Sequence, residues 1–183
     1  TLRRRKLPDV ARLTAGLVGN PNSGKTTLFN SLTGLRFTVG NWPGVTVERK
    51  SGLCSVDSTE IELVDLPGVY SLSARSLDEE LTRDYLLSGE PDLIINIVDA
   101  TSLERGLYLT VQLIEMKVPL VIALNMMDVA REQGMEIAAE LLSARLGCPV
   151  VPVVARTGEG LEALRRAVVE AGRAHKPSHL SIK

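Results

Sequence analysis

Cysteine and histidine are nearly absent: Cys54, Cys148, His175 and His179 are the only ones in 183 residues. The cysteines have no C-x-x-C spacing and no histidine beside them. That excludes a disulfide-stapled scaffold and a cysteine metal site, and predicts reduced, buried thiols in a cytosolic protein. Both histidines fall in a polar, proline-containing end of the chain, where solvated side chains outnumber ligands. No apolar run approaches the ~20 residues that span a bilayer, so the piece is expected to be soluble. Its opening on Thr1 rather than Met reads as a fragment of something longer. Neither sign of charge dominates, with 21 Lys and Arg against 22 Asp and Glu, which excludes a surface-wide attraction to nucleic acid. The basic cluster Arg3, Arg4, Arg5 and Lys6 reads as a solvated tail.

What the chain does have is enough ordinary apolar content, 44%, to build one domain with a real core. Short runs rich in Val, Ile and Leu predict strands buried on both faces at Leu13–Val18, Ile61–Leu66, Leu93–Val98, Leu120–Leu124 and Val150–Val154. Helical periodicity predicts helices at Thr26–Thr33, Ser76–Leu87, Leu103–Glu115, Glu136–Leu146 and Leu161–Ala171. The alternation implies right-handed crossovers and helices on both sheet faces. A further strand through Thr46–Val56 pairs antiparallel at one side, giving a mostly parallel six-stranded sheet, and Leu35–Val45 reads as a long irregular loop.

The stretch GLVGNPNSGKTTLFN, Gly16 to Asn30, breaks an apolar strand at Gly19 and resumes as a helix near Gly24. Its spacing matches G-x-x-x-x-G-K-[ST], a phosphate-binding P-loop whose backbone N–H groups turn inward to cradle an anion. Asp65-Leu66-Pro67-Gly68 ends a later strand. There an aspartate can hold a magnesium-bound water, and the Gly68 N–H can approach a γ-phosphate without side-chain obstruction. Asn125-Met126-Met127-Asp128 ends another, and its N-x-x-D spacing lets the Asp128 carboxylate accept both hydrogens from guanine N1 and N2, a pair adenine cannot offer. The structural alternative for Asn125 and Asp128 is a helix N-cap pair; Met126 and Met127 read as packing residues.

These residues amount to a Ras-like GTPase set. With VGNWPGVTVERK, DLPGVYSL, NIVDAT and ALNMMD they resemble the G domain of the ferrous iron transport protein B (FeoB) family of bacteria and archaea, from about Leu13 to Ala171. The resemblance implies an α/β Ras-like P-loop GTPase fold, with a basic tail at 1–12, a G domain at 13–172 and a tail at 173–183. That last tail would lead to a helical segment and a polytopic membrane domain. It implies a location on the cytoplasmic face of the plasma membrane, guanine nucleotide and the downstream domains as partners, and no nucleic acid. Homo-oligomerisation stays open.

Carried over by residue, Gly19, Asn22, Ser23 and Gly24 would cradle phosphate oxygens together with Thr27. Lys25 would contact the β- and γ-phosphates and Thr26 would ligate Mg²⁺ beside Asp65. Thr46 would complete the Mg²⁺ shell in the GTP state, ordering switch I. The loop Ala155-Arg156-Thr157 stands where many GTPases have Ser-Ala-Lys, so a backbone N–H at Ala155–Arg156 would meet guanine O6. Val69 stands where Ras-like enzymes place a water-orienting glutamine, which implies slow hydrolysis or another source of catalysis. Asn22 has two readings: a turn asparagine tolerating an awkward backbone, or a ligand for K⁺ as in a potassium-activated subgroup, which would make it catalytic with Lys25, Thr46 and Gly68. The function implied is a slow Mg²⁺-dependent GTPase coupled to Fe²⁺ uptake. A nucleotide-gated docking module and an RNA-associated GTPase are the alternatives.

Overall fold

The computed structural model describes residues 11–175. The basic cluster at Arg3–Lys6, His179 and most of the expected tail at 173–183 lie outside the described residues. A single seven-stranded sheet runs in the order β2-β3-β4-β1-β5-β6-β7. Its strands are β1 Ala11–Gly19, β2 Phe37–Asn41, β3 Glu48–Val56, β4 Thr59–Asp65, β5 Leu93–Asp99, β6 Leu120–Asn125 and β7 Val150–Pro152. β3 pairs antiparallel with both β2 and β4, while β4, β1, β5, β6 and β7 pair in parallel.

The strand count corrects the expected six. The additional strand, β2, lies inside the Leu35–Val45 segment expected to be irregular. Its sequence, FTVGN, is almost entirely solvent-facing, and the alternation of Phe37 and Val39 is too short to mark a strand. It is ordered by pairing Phe37–Asn41 against Glu48–Gly52 of β3.

The helices are α1 Lys25–Thr33, α2 Leu77–Leu87, α3 Leu103–Glu115, α4 Met127–Glu132, α5 Ala139–Leu146 and α6 Leu161–His175. α4 was not anticipated, and α5 begins three residues later than the expected Glu136. α6 carries His175 as its last residue, so this histidine belongs to a helix rather than to the expected tail. Because successive side chains of a strand point to opposite faces, Leu13, Ala15 and Leu17 of β1 enter a core with Leu28, Phe29 and Leu32 of α1 and Leu164 and Val168 of α6. Val18 faces the other way, into a core with Tyr85 and Leu86 of α2 and Leu109 and Leu113 of α3. A polar pair is sealed inside this apolar frame: Asn96 of β5 donates to the Val18 carbonyl at 3.1 Å, and Thr110 of α3 donates to Asn96 Oδ1 at 2.6 Å. Cys54 is a buried free thiol on β3, and Cys148 is a half-buried one ahead of β7. Among the described residues no helix is long and apolar enough to cross a membrane.

Candidate functional site

The C-terminal ends of parallel strands are where open α/β sheets present their loops for binding. Here β1, β4, β6 and β7 deliver the Gly19–Thr26 turn, the Asp65–Gly68 turn, the Asn125–Asp128 turn and the Ala155–Thr157 loop to one end of the sheet. The first of these bends through two left-handed residues, Asn22 at φ 65° and Gly24 at φ 90°. Asparagine and glycine are the residues that tolerate this region. A Cβ on Gly24 would collide with Asn125 Nδ2.

No side chain caps α1, and its first turn holds no acidic residue. Its leading N–H groups and the positive end of its dipole therefore remain available to an anion. α2 shows the contrast: Ser76 Oγ caps the Glu79 N–H at 3.2 Å, and three acidic residues occupy its first turn. Asn20, Pro21, Asn22, Gly24, Lys25, Thr26, Thr27 and Gly68 line a cleft of about 450 Å³ over the α1 N-terminus. Thr26 and Thr27 open their side chains to it. Asn20 Oδ1 and Ser23 Oγ are buried with no partner among the described residues. An uncapped helix start, free hydroxyls and a buried ammonium together fit a phosphate chain.

That ammonium belongs to Lys25, which forms a largely buried ion pair with Asp65. The ladder between β1 and β4 continues past Asp65: Leu66 N–H donates to Leu17 O at 3.2 Å, and Val69 N–H donates to Gly19 O at 3.1 Å. This brings Gly68 against the phosphate-type turn, where a Cβ would meet Pro21 at 3.3 Å. Val69 is 3% exposed and packs into the core beside Leu66 and Leu72. The position that carries glutamine elsewhere is thus spent on packing.

Asn125, 4% exposed, is the tie between the turns. Its Nδ2 donates to Ser23 O at 3.0 Å, and its Oδ1 accepts from the Ala155 N–H at 3.0 Å. Ser31 of α1 reaches the same loop, donating to Ala155 O at 3.0 Å. Asn125 and Asp128 are not a capping pair: the N-cap of α4 is Met126, left-handed at φ 62° with no side-chain cap. That bend turns Asn125 inward to the phosphate-type turn and leaves Asp128 facing the Ala155–Thr157 loop, where Arg156 holds it at 2.9 Å. The Arg156 hydrogen bond is the main cause that keeps the Asp128 carboxyl below its ordinary range.

Thr46 is not brought to the cleft; it is exposed on the segment between β2 and β3. The neighbouring Trp42 is instead buried, 5% exposed, edge-on to Tyr85 with ring centroids 5.7 Å apart. The Arg49 guanidinium lies 4.6 Å over the Trp42 ring and pairs with Glu90. Burial drives the Tyr85 hydroxyl well above its ordinary range. Sequence reasoning missed Pro21 as a cleft wall and the side-chain partnership of Arg156. The latter joins residues 28 positions apart, so no local pattern signals it.

A glycine-rich turn after β1, a DxxG turn after β4 and an NxxD turn after β6, on a mostly parallel sheet covered on both faces, define a P-loop G domain. Residues 13–168 match the family described as Ferrous iron transport protein B, and the chain belongs to that family. It is 58% identical over 161 residues to the Fe(2+) transporter FeoB of Shigella flexneri, covering 86% of this chain and 21% of that protein. The chain therefore spans about a fifth of the length of the curated relatives it matches. Among solved structures, the FeoB G-domain from Methanococcus jannaschii is 46% identical, with a TM-score of 0.80 and coverage of 89% of this chain and 99% of that one. An S. thermophilus NFeoB mutant bound to GDP is 50% identical, with a TM-score of 0.85 and coverage of 90% and 65%.

Proposed function

We propose that this chain binds and slowly hydrolyses GTP, and that its nucleotide state is coupled through switch I and switch II, about Gly68 to Leu77, to Fe²⁺ uptake by a membrane part of the same protein. The observation that carries this is the Asn125 bridge, which locks the phosphate-type turn to the loop beside Asp128 and so makes one site of a phosphate end and a base end. The GDP bound to the S. thermophilus relative supports a guanine nucleotide as the ligand. The share of the Shigella protein outside the match supports further domains. The helical and membrane parts would lie beyond this G domain at about 13–172, which would sit on the cytoplasmic face of the membrane.

In this reading the N–H groups from Gly19 to Gly24 hold the phosphate oxygens, and Lys25 leaves Asp65 to meet the β- and γ-phosphates. Thr26, Asp65 and, in the GTP state, Thr46 would hold Mg²⁺, which neutralises charge developing on the phosphates. Asn22 would hold K⁺. The Gly68 N–H reaches the γ-phosphate end. Asp128 accepts from guanine N1 and N2, and the backbone N–H at Ala155–Arg156 meets O6.

The burial of Val69 favours a second reading, in which hydrolysis is supplied by a partner and the chain is a nucleotide-gated docking module. Phosphate release from GTP by the purified chain with Mg²⁺ separates them: turnover without any added protein supports the enzyme. Tight GTP binding with no turnover above the spontaneous rate supports the module, and no guanine nucleotide binding overturns both.

A further inference from the structure

Asp128 is the second residue of α4 and Arg156 lies on the loop after β7, and the pair is joined by Arg156 Nη2 donating to Asp128 Oδ2 at 2.9 Å. The Asp128 side chain is 25% exposed and that of Arg156 is 77% exposed. The arginine makes no other hydrogen bond among the described residues. One end of the contact is therefore anchored on a helix, and the other is a long side chain that solvent can readily reclaim.

A guanidinium offers a carboxylate two parallel N–H groups. The Watson–Crick edge of guanine offers two as well, N1–H and one N2–H. Arg156 uses one of its N–H groups here, on Asp128 Oδ2, so the base and the arginine compete for that oxygen. We propose that the Arg156 side chain is a built-in competitor of guanine: it holds Asp128 Oδ2 and must swing away before the base can seat. This rests on the assignment of Asp128 as the base reader made above.

The competitor sharpens selection as well as slowing entry. Guanine replaces the arginine like for like, whereas adenine, with no paired donors on that edge, leaves the carboxylate to Arg156. An ion pair this exposed alters an equilibrium by no more than about fivefold, so Arg156 is a brake and not a lock. Arg156 also brings positive charge that attracts phosphates, and a neutral replacement would confuse the two effects. Lysine keeps the charge but, as a hydrated point charge, lacks the planar fork. The backbone N–H at this position is the same in either case.

The test is stopped-flow binding of fluorescent GDP to the native chain and to Arg156→Lys. Arg156→Lys is expected to associate about threefold to fivefold faster, with dissociation changed by less than about twofold. In an Asp128→Asn background, with fluorescent xanthosine diphosphate as ligand, Arg156→Lys is expected to make no difference. Equal or slower association in Arg156→Lys overturns the proposal, as does an acceleration that survives in the Asp128→Asn background. GDP binding with an unchanged association rate removes the competitor alone. Failure of the native chain to bind GDP removes the base-reading assignment with it.

Discussion

The Asn125 side-chain amide and the Ser23 carbonyl meet at 3.0 Å across 102 residues of sequence, and the same amide accepts from Ala155 on its other side. One buried side chain thus sets the separation between the turn suited to phosphates and the loop suited to a base.

Asn125→Ala would leave the Ser23 carbonyl and the Ala155 N–H without these partners. Each orphaned buried group costs about 1–3 kcal/mol. Urea unfolding is expected to show a loss of about 2–6 kcal/mol for the two groups together, and titration calorimetry a GDP affinity at least about tenfold weaker, equivalent to ~1.4 kcal/mol. Unchanged affinity in a destabilised protein would show that the bridge is structural only.

Asp128→Asn should transfer preference from guanine to xanthine, because a carboxamide can donate to xanthine O2 where the carboxylate accepted from guanine N2–H. GTP binding is expected to weaken by about two orders of magnitude or more, with xanthosine triphosphate gaining. Competition binding with both nucleotides measures it, and GTP affinity equal to that of the native chain would remove Asp128 from the base site.

GTP hydrolysis by the native chain is expected to be severalfold or more faster in K⁺ than in Na⁺ at equal ionic strength. The left-handed backbone of Asn22, φ 65°, dictates the variant to compare. Alanine would strain that turn by about 1–2 kcal/mol, whereas glycine accepts it. Asn22→Gly should keep GDP binding and lose the distinction between the two cations. Equal native rates in the two salts would leave Asn22 with its turn-forming role alone.

Trp42 is expected to report on the proposed switch I because its indole is buried against Tyr85 and covered by Arg49. Drawing Thr46 toward the cleft would shift this stack. Tryptophan emission is expected to change when a non-hydrolysable GTP analogue with Mg²⁺ replaces GDP, and Arg49→Ala should alter the emission of the GDP form. Identical spectra for the two nucleotides would mean that the β2–β3 segment holds still.

The turn from Gly19 to Thr26, the DLPG and NMMD turns and the order of the main strands and helices were legible in the sequence. The chemistry of each is carried by contiguous residues, and strands buried on both faces announce themselves as unbroken apolar runs. β2 was not legible, since an exposed strand of Thr, Val, Gly and Asn gains its order from β3. Nor was α4, which follows the left-handed bend at Met126. Trp42 looked like a loop residue, yet its burial comes from Tyr85 and Arg49, each remote from it along the chain or across the hairpin. The sequence by itself determined which local turns could hold phosphate and base, because backbone conformation and donor chemistry there are properties of neighbouring residues. Tertiary structure alone decided that Asn125 ties those turns together, that Arg156 covers Asp128 and that Val69 is packed away. The first two are contacts between segments far apart in sequence, and the third follows from the Val69 N–H bonding Gly19 O, all fixed by the register of strands within the sheet.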